Sequence, residues 1–365
     1  MKRVLCIVGG MNAGGAETFL MKVYRRLDKN KYQMDFAVAN DGCYDEEIRL
    51  MGGKIFKITP KSQGFLKNFL SVKKLVKNEG YKYVLRTSQH SLSAMELLAA
   101  RLGGAKKLIY RSSNSNTIDG SKKGLLLHKL CGFMPIFFAN VRIAPSTEAA
   151  EFMFGKDCVK KGKATILNNG IDMRIFNYNG QNRNECREEF KLKNKFVVGH
   201  IGRFSAQKNH DFLLEIFAEI KKKKEDSILL IVGGGELEAE IKQKAKELNV
   251  FDNIVFTGVR SDVSKLLSAM DVFVFPSFYE GMPNTVIEAQ AEGLPCIISD
   301  TITKEADITG LVKYLPLDLS AEKWADEVID CVSAERKETK DDFVKNGYDI
   351  DSVTDKFIQF VFGDK

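Results

Sequence analysis

The chain has 365 residues, 44% of them hydrophobic and 28% charged, a globular composition with length for roughly two domains, which excludes disordered and fibrous classes. Its seven cysteines, at 6, 43, 131, 158, 186, 296 and 331, are odd in number, scattered and never spaced as C-x-x-C; this argues against a disulfide framework or a zinc module and for buried thiols in a reducing cytoplasm. Net charge is +7, but residues 1–170 hold 29 Lys/Arg against 13 Asp/Glu and the remainder 26 against 35, so the halves carry +16 and −9.

A basic half of that size either attracts a polyanion, nucleic acid or an anionic membrane surface, or is a solvated face that aids solubility. The apolar run at residues 4–8 breaks at Gly9-Gly10, too short for a signal-peptide core or a spanning helix, and the mature protein is expected to begin at Met1 and remain inside the cell. Asn12-Ala13-Gly14-Gly15-Ala16-Glu17-Thr18 then bridges this first strand and a helix over residues 16–27. It lacks the G-x-G-x-x-G spacing, so it reads as a phosphate- or sugar-facing glycine loop, or as glycines that merely shape a βα turn. Short apolar runs at 35–38, 54–58, 83–85 and 107–110 alternate with helical-period stretches at 66–76 and 93–102, the pattern of a parallel sheet covered on both faces.

Residues 125–141 are apolar but interrupted by Gly132 and Pro135, too broken to span a bilayer. With Lys61, Lys67, Lys73, Lys74 and Lys77 upstream they fit either a packed helix and strand or an interfacial surface that leans on anionic headgroups. The stretch 168–195, rich in Asn, Arg and Gly and poor in apolar periodicity, reads as a surface linker. Alternation resumes through 196–201, 211–222, 227–232, 237–248, 254–257, 263–270, 272–275, 285–292 and 295–299, which predicts a second Rossmann-like sheet.

Two clusters leave strands of that second sheet. Gly202-Arg203 and Lys208 follow the strand at 196–201, at the end where open α/β sheets bind ligands; Gly202 admits a close ligand, and a guanidinium with an ammonium suits a diphosphate. Glu280-Gly281-Met282-Pro283-Asn284-Thr285-Val286-Ile287-Glu288 turns from the strand at 272–275 into a helix. Its backbone N–H groups around 284–286 offer an anion site, and Glu288 can reach two adjacent hydroxyls. The competing reading makes Glu280 a helix-start carboxylate and Glu288 a solvated residue.

Taken together, Gly14-Gly15-Ala16-Glu17, Phe152-Met153-Phe154-Gly155, Leu167-Asn168-Asn169-Gly170-Ile171-Asp172, Gly199-His200-Ile201-Gly202-Arg203-Phe204, Gln207-Lys208-Asn209-His210, the 256–262 stretch, the Glu280/Glu288 pair and Gly293-Leu294-Pro295 resemble the retaining GT-B glycosyltransferases of family 4, above all the bacterial capsule and exopolysaccharide branch. The resemblance covers nearly the whole chain. It implies an α/β GT-B architecture of two Rossmann-like domains facing across a cleft: an acceptor domain at 1–170, a linker at 171–195, a nucleotide-sugar domain at 196–349, and a helix within 350–365 crossing back to the first domain. It further implies a donor, UDP-linked by default, with Arg203 and Lys208 on the diphosphate, Glu288 on the ribose and Glu280 on the sugar. Gly281, Met282, Pro283, Asn284 and Thr285 would line the donor, Val259 and Arg260 would border the base, and Gly14 and Gly15 would close over the β-phosphate.

The implied reaction is transfer with retention at the anomeric carbon, in which Arg203 and Lys208 bind the departing charge and no metal is required. The sole Asp-x-Asp, Asp349-Ile350-Asp351, lies near the C-terminus and is read as incidental. On the acceptor side, where close relatives carry His-Ser-His-Asn, this chain has Arg111-Ser112-Ser113-Asn114. His90 is then the nearby histidine to test as a catalytic group, with Arg111 and Asn114 as acceptor-side candidates, Arg111 for an anionic acceptor. The acceptor implied is a polyisoprenyl-diphosphate-linked or other glycan, met by a peripheral enzyme on the inner face of the cell membrane. A sugar-nucleotide 2-epimerase of the same architecture is the alternative. A nucleic-acid module ranks last, because no reading helix, finger or aromatic RNP pattern is present.

Overall fold

Apolar runs that are buried on both sides build two parallel sheets, in a computed structural model that describes residues 1–12, 14–113, 122–331 and 335–363, apart from the side chains of residues 122 and 123. The chain divides into two units, residues 1–170 with 347–365, and residues 171–346.

In the first unit, β1 (Lys2–Ile7), β2 (Tyr32–Val38), β3 (Ile55–Lys57), β4 (Tyr83–Ser88), β5 (Lys107–Ser112), β6 (Val141–Ala144) and β7 (Thr165–Ile166) pair in parallel in the order β3-β2-β1-β4-β5-β6-β7. The helices are α1 (Gly15–Arg26), α2 (Asp45–Leu50), α3 (Phe65–Glu79), α4 (Met95–Leu102), α5 (Lys122–Leu130), α6 (Phe133–Phe138) and α7 (Thr147–Phe154). The period of two along β1 explains the layering: Val4 and Cys6 enter one core with Phe19 and Leu20 of α1, while Leu5 and Ile7 enter another with Val72, Leu97 and Met153.

The second unit pairs β8 (Phe196–Ile201), β9 (Ser227–Val232), β10 (Ile254–Phe256), β11 (Val272–Phe275), β12 (Cys296–Ser299) and β13 (Val312–Leu315) in parallel as β10-β9-β8-β11-β12-β13. Around it lie α8 (Gly180–Glu189), α9 (His210–Lys223), α10 (Glu238–Glu247), α11 (Val263–Ala269), α12 (Asn284–Ala291), α13 (Ala321–Asp330) and α14 (Lys340–Lys345). Both sheets therefore reverse their strand order once, between β1 and β4 and between β8 and β11. At such a reversal the flanking connections run to opposite faces and leave a crevice at the carboxyl ends of the strands.

The last helix, α15 (Ile350–Phe362), belongs to the first unit. The Asp349 carboxylate caps it by accepting the Ser352 N–H at 2.9 Å, and Phe357 meets Phe19 edge-on at 6.4 Å. Asp351 accepts from Arg26 at 2.7 Å, so both carboxylates of the Asp-x-Asp serve this helix.

Residues 171–195 depart from the linker expected of them. They carry α8, which is assigned to the second unit; Asn179 caps it, accepting the Gln181 and Asn182 N–H groups. Arg183 and Arg187 both donate to Asp271, at 2.6 and 2.8 Å, and Asp271 also accepts the Val197 N–H at 2.7 Å. Polar anchors hold this helix, with Cys186 its one buried residue, so no apolar period betrays it. The thiols follow expectation except at the exposed Cys43 and the partly exposed Cys331; all seven are free.

Asp271→Ala would take the carboxylate away from two arginines that are 23% and 12% exposed, leaving them their backbone carbonyl partners. It is expected to cost about 2–3 kcal/mol, a fully buried pair losing somewhat more, read as a lower urea midpoint, whereas Asp226→Ala, at the exposed pair with Lys195, leaves the midpoint unchanged.

Candidate active site

In the second unit the order reversal sets the loops after β8 and β11 side by side. After β8 the chain runs Gly202, Arg203, a 3₁₀ turn at Ala206–Lys208 and then α9. Asn209 takes the left-handed conformation, φ 54°, which asparagine tolerates, and its amide donates to the Pro276 carbonyl at 3.1 Å. The Phe278 N–H donates to the Gln207 carbonyl at 2.9 Å and the Gln207 amide to the Tyr279 carbonyl at 2.8 Å. The loops after β8 and β11 are thus stitched before any side-chain charge is considered.

The charges complete the join. The Lys208 ammonium donates to Glu280 Oε1 at 2.6 Å, the two side chains being 16% and 11% exposed, and it stands 4.5 Å from the centre of the Phe275 ring. Its stem passes Gly202 so closely that a Cβ there would lie 3.4 Å from Lys208 Cδ and Cε. Arg203 is exposed. Chemically, the arrangement offers a shielded cation beside a carboxylate at the mouth of the crevice, suited to a phosphorylated ligand that also carries hydroxyls.

The remaining donor-side candidates differ in exposure and in their partners. Gly281 and Pro283 are buried, and Met282, Thr285 and Glu288 partly so; α12 starts at Asn284 after Pro283. The Val286 and Ile287 N–H groups both donate to the Pro283 carbonyl, which corrects the expectation that Val286 contributes an open donor. Val259 is 84% exposed. Arg260 is held by Asp262 at 2.7 Å and Glu189 at 3.2 Å, and the first of these contacts raises its pKa.

Sequence reasoning missed Gly233, Gly234 and Gly235, although a glycine run directly after an apolar strand is the signal for a close backbone approach. Gly233 has φ 143°, and a Cβ on it would meet the Gly202 carbonyl oxygen; a Cβ on Gly235 would stand 2.5 Å from the Phe204 carbonyl oxygen. The Phe204 N–H donates to the Gly234 carbonyl at 3.1 Å, and the Gly233 N–H to the Gly258 carbonyl at 2.9 Å. These glycines seat the Gly202–Arg203 turn against its neighbours.

In the first unit the corresponding candidates are engaged internally. Gly14 is the N-cap of α1, but the Glu17 carboxylate folds back upon it, its Oε2 2.5 Å from where a Gly14 Cβ would be. A phosphate approaching Gly14 and Gly15 would meet an anion already at the helix start; burial raises the pKa of that carboxyl, against the pull of Arg86 and Arg111. Arg111 is 1% exposed, stacks 3.8 Å over the Phe19 ring and donates to Asn169 Oδ1 at 2.5 Å. Burial pushes its pKa down to about 9, so it is an interior cation and not the acceptor contact expected of it.

His90 is likewise spoken for. Its Nδ1 accepts the Leu92 N–H at 3.2 Å, and its Nε2 lies 3.1 Å from the Gly124 carbonyl oxygen, which together fix one neutral tautomer. Both nitrogens anchor backbone, which corrects the catalytic reading. His128 packs edge-on at 5.5 Å and is also tied to backbone, at Ser91 and Phe152. Asn114 lies outside the described residues. Of the basic residues upstream of residues 125–141, Lys61 turns inward to Ser93 and Glu96, while Lys67, Lys74 and Lys77 are exposed.

Comparison with known proteins agrees across sequence and fold. A family model described as "Glycosyl transferases group 1" matches residues 182–350. The chain is 36% identical over 360 residues, 95% of its length and 93% of the relative's, to a putative glycosyltransferase EpsF of Bacillus subtilis (strain 168). It is 30% identical over 244 residues, 64% of this chain and 62% of the relative, to the UDP-Gal:alpha-D-GlcNAc-diphosphoundecaprenol alpha-1,3-galactosyltransferase of Escherichia coli. The crystal structure of Anabaena Alr3699/HepE in complex with UDP and glucose superposes with a TM-score of 0.79 at 17% identity, covering 98% of this chain and 99% of that one.

Gly233→Ala forces a side chain into a left-handed, occupied position and is expected to cost about 2 kcal/mol or more. Calorimetric titration with inorganic pyrophosphate checks the site: the displaced Gly202–Arg203 turn is expected to lose binding, whereas Gly180→Ala, where a Cβ meets nothing, leaves it intact.

Proposed function

Because this chain belongs to the group 1 glycosyl transferases, we propose that it moves a sugar, with retention at the anomeric carbon, from a UDP-linked donor to a polyisoprenyl-diphosphate-linked or other glycan during surface polysaccharide assembly. The observation that carries this reading is the shielded Lys208–Glu280 pair at the β8/β11 crevice. The names of the Bacillus and Escherichia relatives and the UDP complex of the Anabaena protein support it.

As the glycosidic bond lengthens, negative charge gathers on the leaving diphosphate. Lys208 and Arg203 supply cations that bind this developing charge more strongly than the ground state, which lowers the barrier. Glu280, next to Lys208, faces the hydroxyls of the donor sugar, and Glu288 on α12 those of the ribose. Two positive side chains at the leaving group take the part that a metal plays in other transferases, so no metal is required. Transfer from a UDP-hexose panel tests the reading: the product's anomeric coupling by NMR is expected to match that of the donor, and an inverted product would refute retention. Activity is expected to survive EDTA, strict Mg²⁺ dependence being the contrary result. Lys208→Met is expected to lower kcat/KM by about 10²–10³-fold.

The acceptor implied by this reading resides in a membrane, and the first unit presents a surface that suits one. Leu126, Leu130, Phe133 and Phe137 on α5 and α6 are 60%, 66%, 53% and 72% exposed, and Phe65 and Leu66 open α3, which also bears Lys67, Lys74 and Lys77. Among the described residues no helix is long and apolar enough to cross a membrane; a face of this kind rests in the headgroup layer instead. Such docking would make the enzyme peripheral on the inner face of the cell membrane. Sedimentation with phosphatidylglycerol vesicles at low salt, reversed by high salt and weakened by Phe137→Asp with Leu130→Asp, is the expected result. Absence of sedimentation at low salt would remove the membrane from the reading.

A further inference from the structure

Beneath Lys208 lies a buried histidine that the reaction as described does not use. His200, two residues before Gly202, is completely buried in β8. Its Nδ1 is 2.9 Å from the Val274 carbonyl oxygen on β11, so the proton sits on Nδ1 and a lone pair remains on Nε2. That Nε2 has no hydrogen-bond partner among the described residues, a costly state for a buried polar atom that serves nothing. His210 packs edge-on against the same ring at 4.9 Å, and Phe275 stacks on it at 5.4 Å.

This nitrogen and the lysine stem both border Gly202. A Cβ on Gly202 would stand 3.1 Å from His200 Nε2 and 3.4 Å from Lys208 Cδ and Cε, so the space that a glycine leaves open there is bordered by both the acceptor and the ammonium stem. Burial, reinforced by the neighbouring His210 and Lys208, keeps His200 well below the ordinary histidine range. Burial and then Lys208 bring His210 down to about 4. The imidazole is therefore neutral, and its Nε2 keeps a lone pair beside Gly202, where the lysine stem passes.

We propose that His200 is a positioning residue for Lys208: its Nε2 lone pair receives the ammonium when Glu280 releases it and a nucleoside diphosphate enters the crevice. The proposal rests on the nucleotide-sugar reading above. Glu280 can serve a donor sugar only by giving up part of its hold on Lys208, and an ammonium with three N–H donors can then give one to a diphosphate oxygen and another to Nε2, which keeps a side chain 16% exposed in place. A second carboxylate there would repel the diphosphate and a protonated imidazole would repel the ammonium, whereas a neutral lone pair does neither.

The test is a double-mutant cycle read as the Kd for UDP by calorimetry. Asparagine at 200 keeps an N–H for Val274 but has no acceptor at the Nε2 position, whereas the glutamine amide oxygen can stand there. His200→Asn is expected to weaken UDP binding about tenfold, His200→Gln to restore most of it, and His200→Asn to add nothing in a Lys208→Met background. Equal losses in both backgrounds would mark His200 as merely structural and overturn the proposal, as would wild-type affinity in His200→Asn. Failure of the wild-type protein to bind UDP would overturn the nucleotide-sugar reading and this proposal with it. Should His200→Asn not fold, ¹⁵N-histidine NMR of the wild-type protein decides: the His200 Nε2 resonance is expected to move upfield on adding UDP as it accepts a hydrogen bond, and an unmoved resonance would overturn the proposal.

Discussion

The second unit is organised around one ion pair that joins loops 72 residues apart in sequence. Lys208 leaves β8 and Glu280 leaves β11, strands that are neighbours in the sheet because its order reverses there. Held alone, either charge would be poorly placed: the lysine stem lies over Gly202, and the glutamate stands on a loop that precedes α12. Together they let a half-enclosed cation persist without ligand, at the expense of an interaction that an incoming anion must displace. Much of the surrounding backbone, from the Asn209 and Gln207 bonds to the glycines after β9, works to hold the two loops at the distance this pair needs.

The first unit uses similar chemistry for a different end. Its own reversal lies between β1 and β4, and the charged groups Arg86 and Arg111 in this unit are turned to interior partners. Arg86 pairs with the buried Glu96 and donates to the Ile7 carbonyl; Arg111 stacks on Phe19. Charges satisfied inside stiffen the strand ends, while the exposed lysines and apolar side chains of α3, α5 and α6 lie on the outer helices. High positive charge in this half of the sequence thus divides into an interior share and a surface share that composition alone cannot separate.

Parallel strands buried on both faces appear in sequence as uninterrupted apolar runs, and for that reason both sheets were legible from the residues. Lys208 and Glu280 were legible as candidates, since each follows such a run, and the structure joins the two as an ion pair. Helix α8 was not, because arginines binding Asp271 hold it where an apolar stripe would otherwise be. Gly233–Gly235 escaped notice because the need for bare backbone there comes from Gly202 and Phe204 in the loop after the adjacent strand, a partner no linear reading supplies. Arg111 and His90 misled for a related reason: residue type suggested reactivity, and what decides is burial and which carbonyl or ring stands opposite.

The placement of α15 carries a consequence for synthesis. Ile350, Val353, Phe357, Val361 and Phe362 complete the same core as β1 and α1, and Gly170 leaves no room for a Cβ beside Ile350. Residues 1–170 emerge from the ribosome before α15 does, so the part of this core that α15 completes stays open while the second unit is translated. Nascent chains therefore expose an unfinished apolar surface until α15 has emerged, the interval in which a chaperone has most to protect.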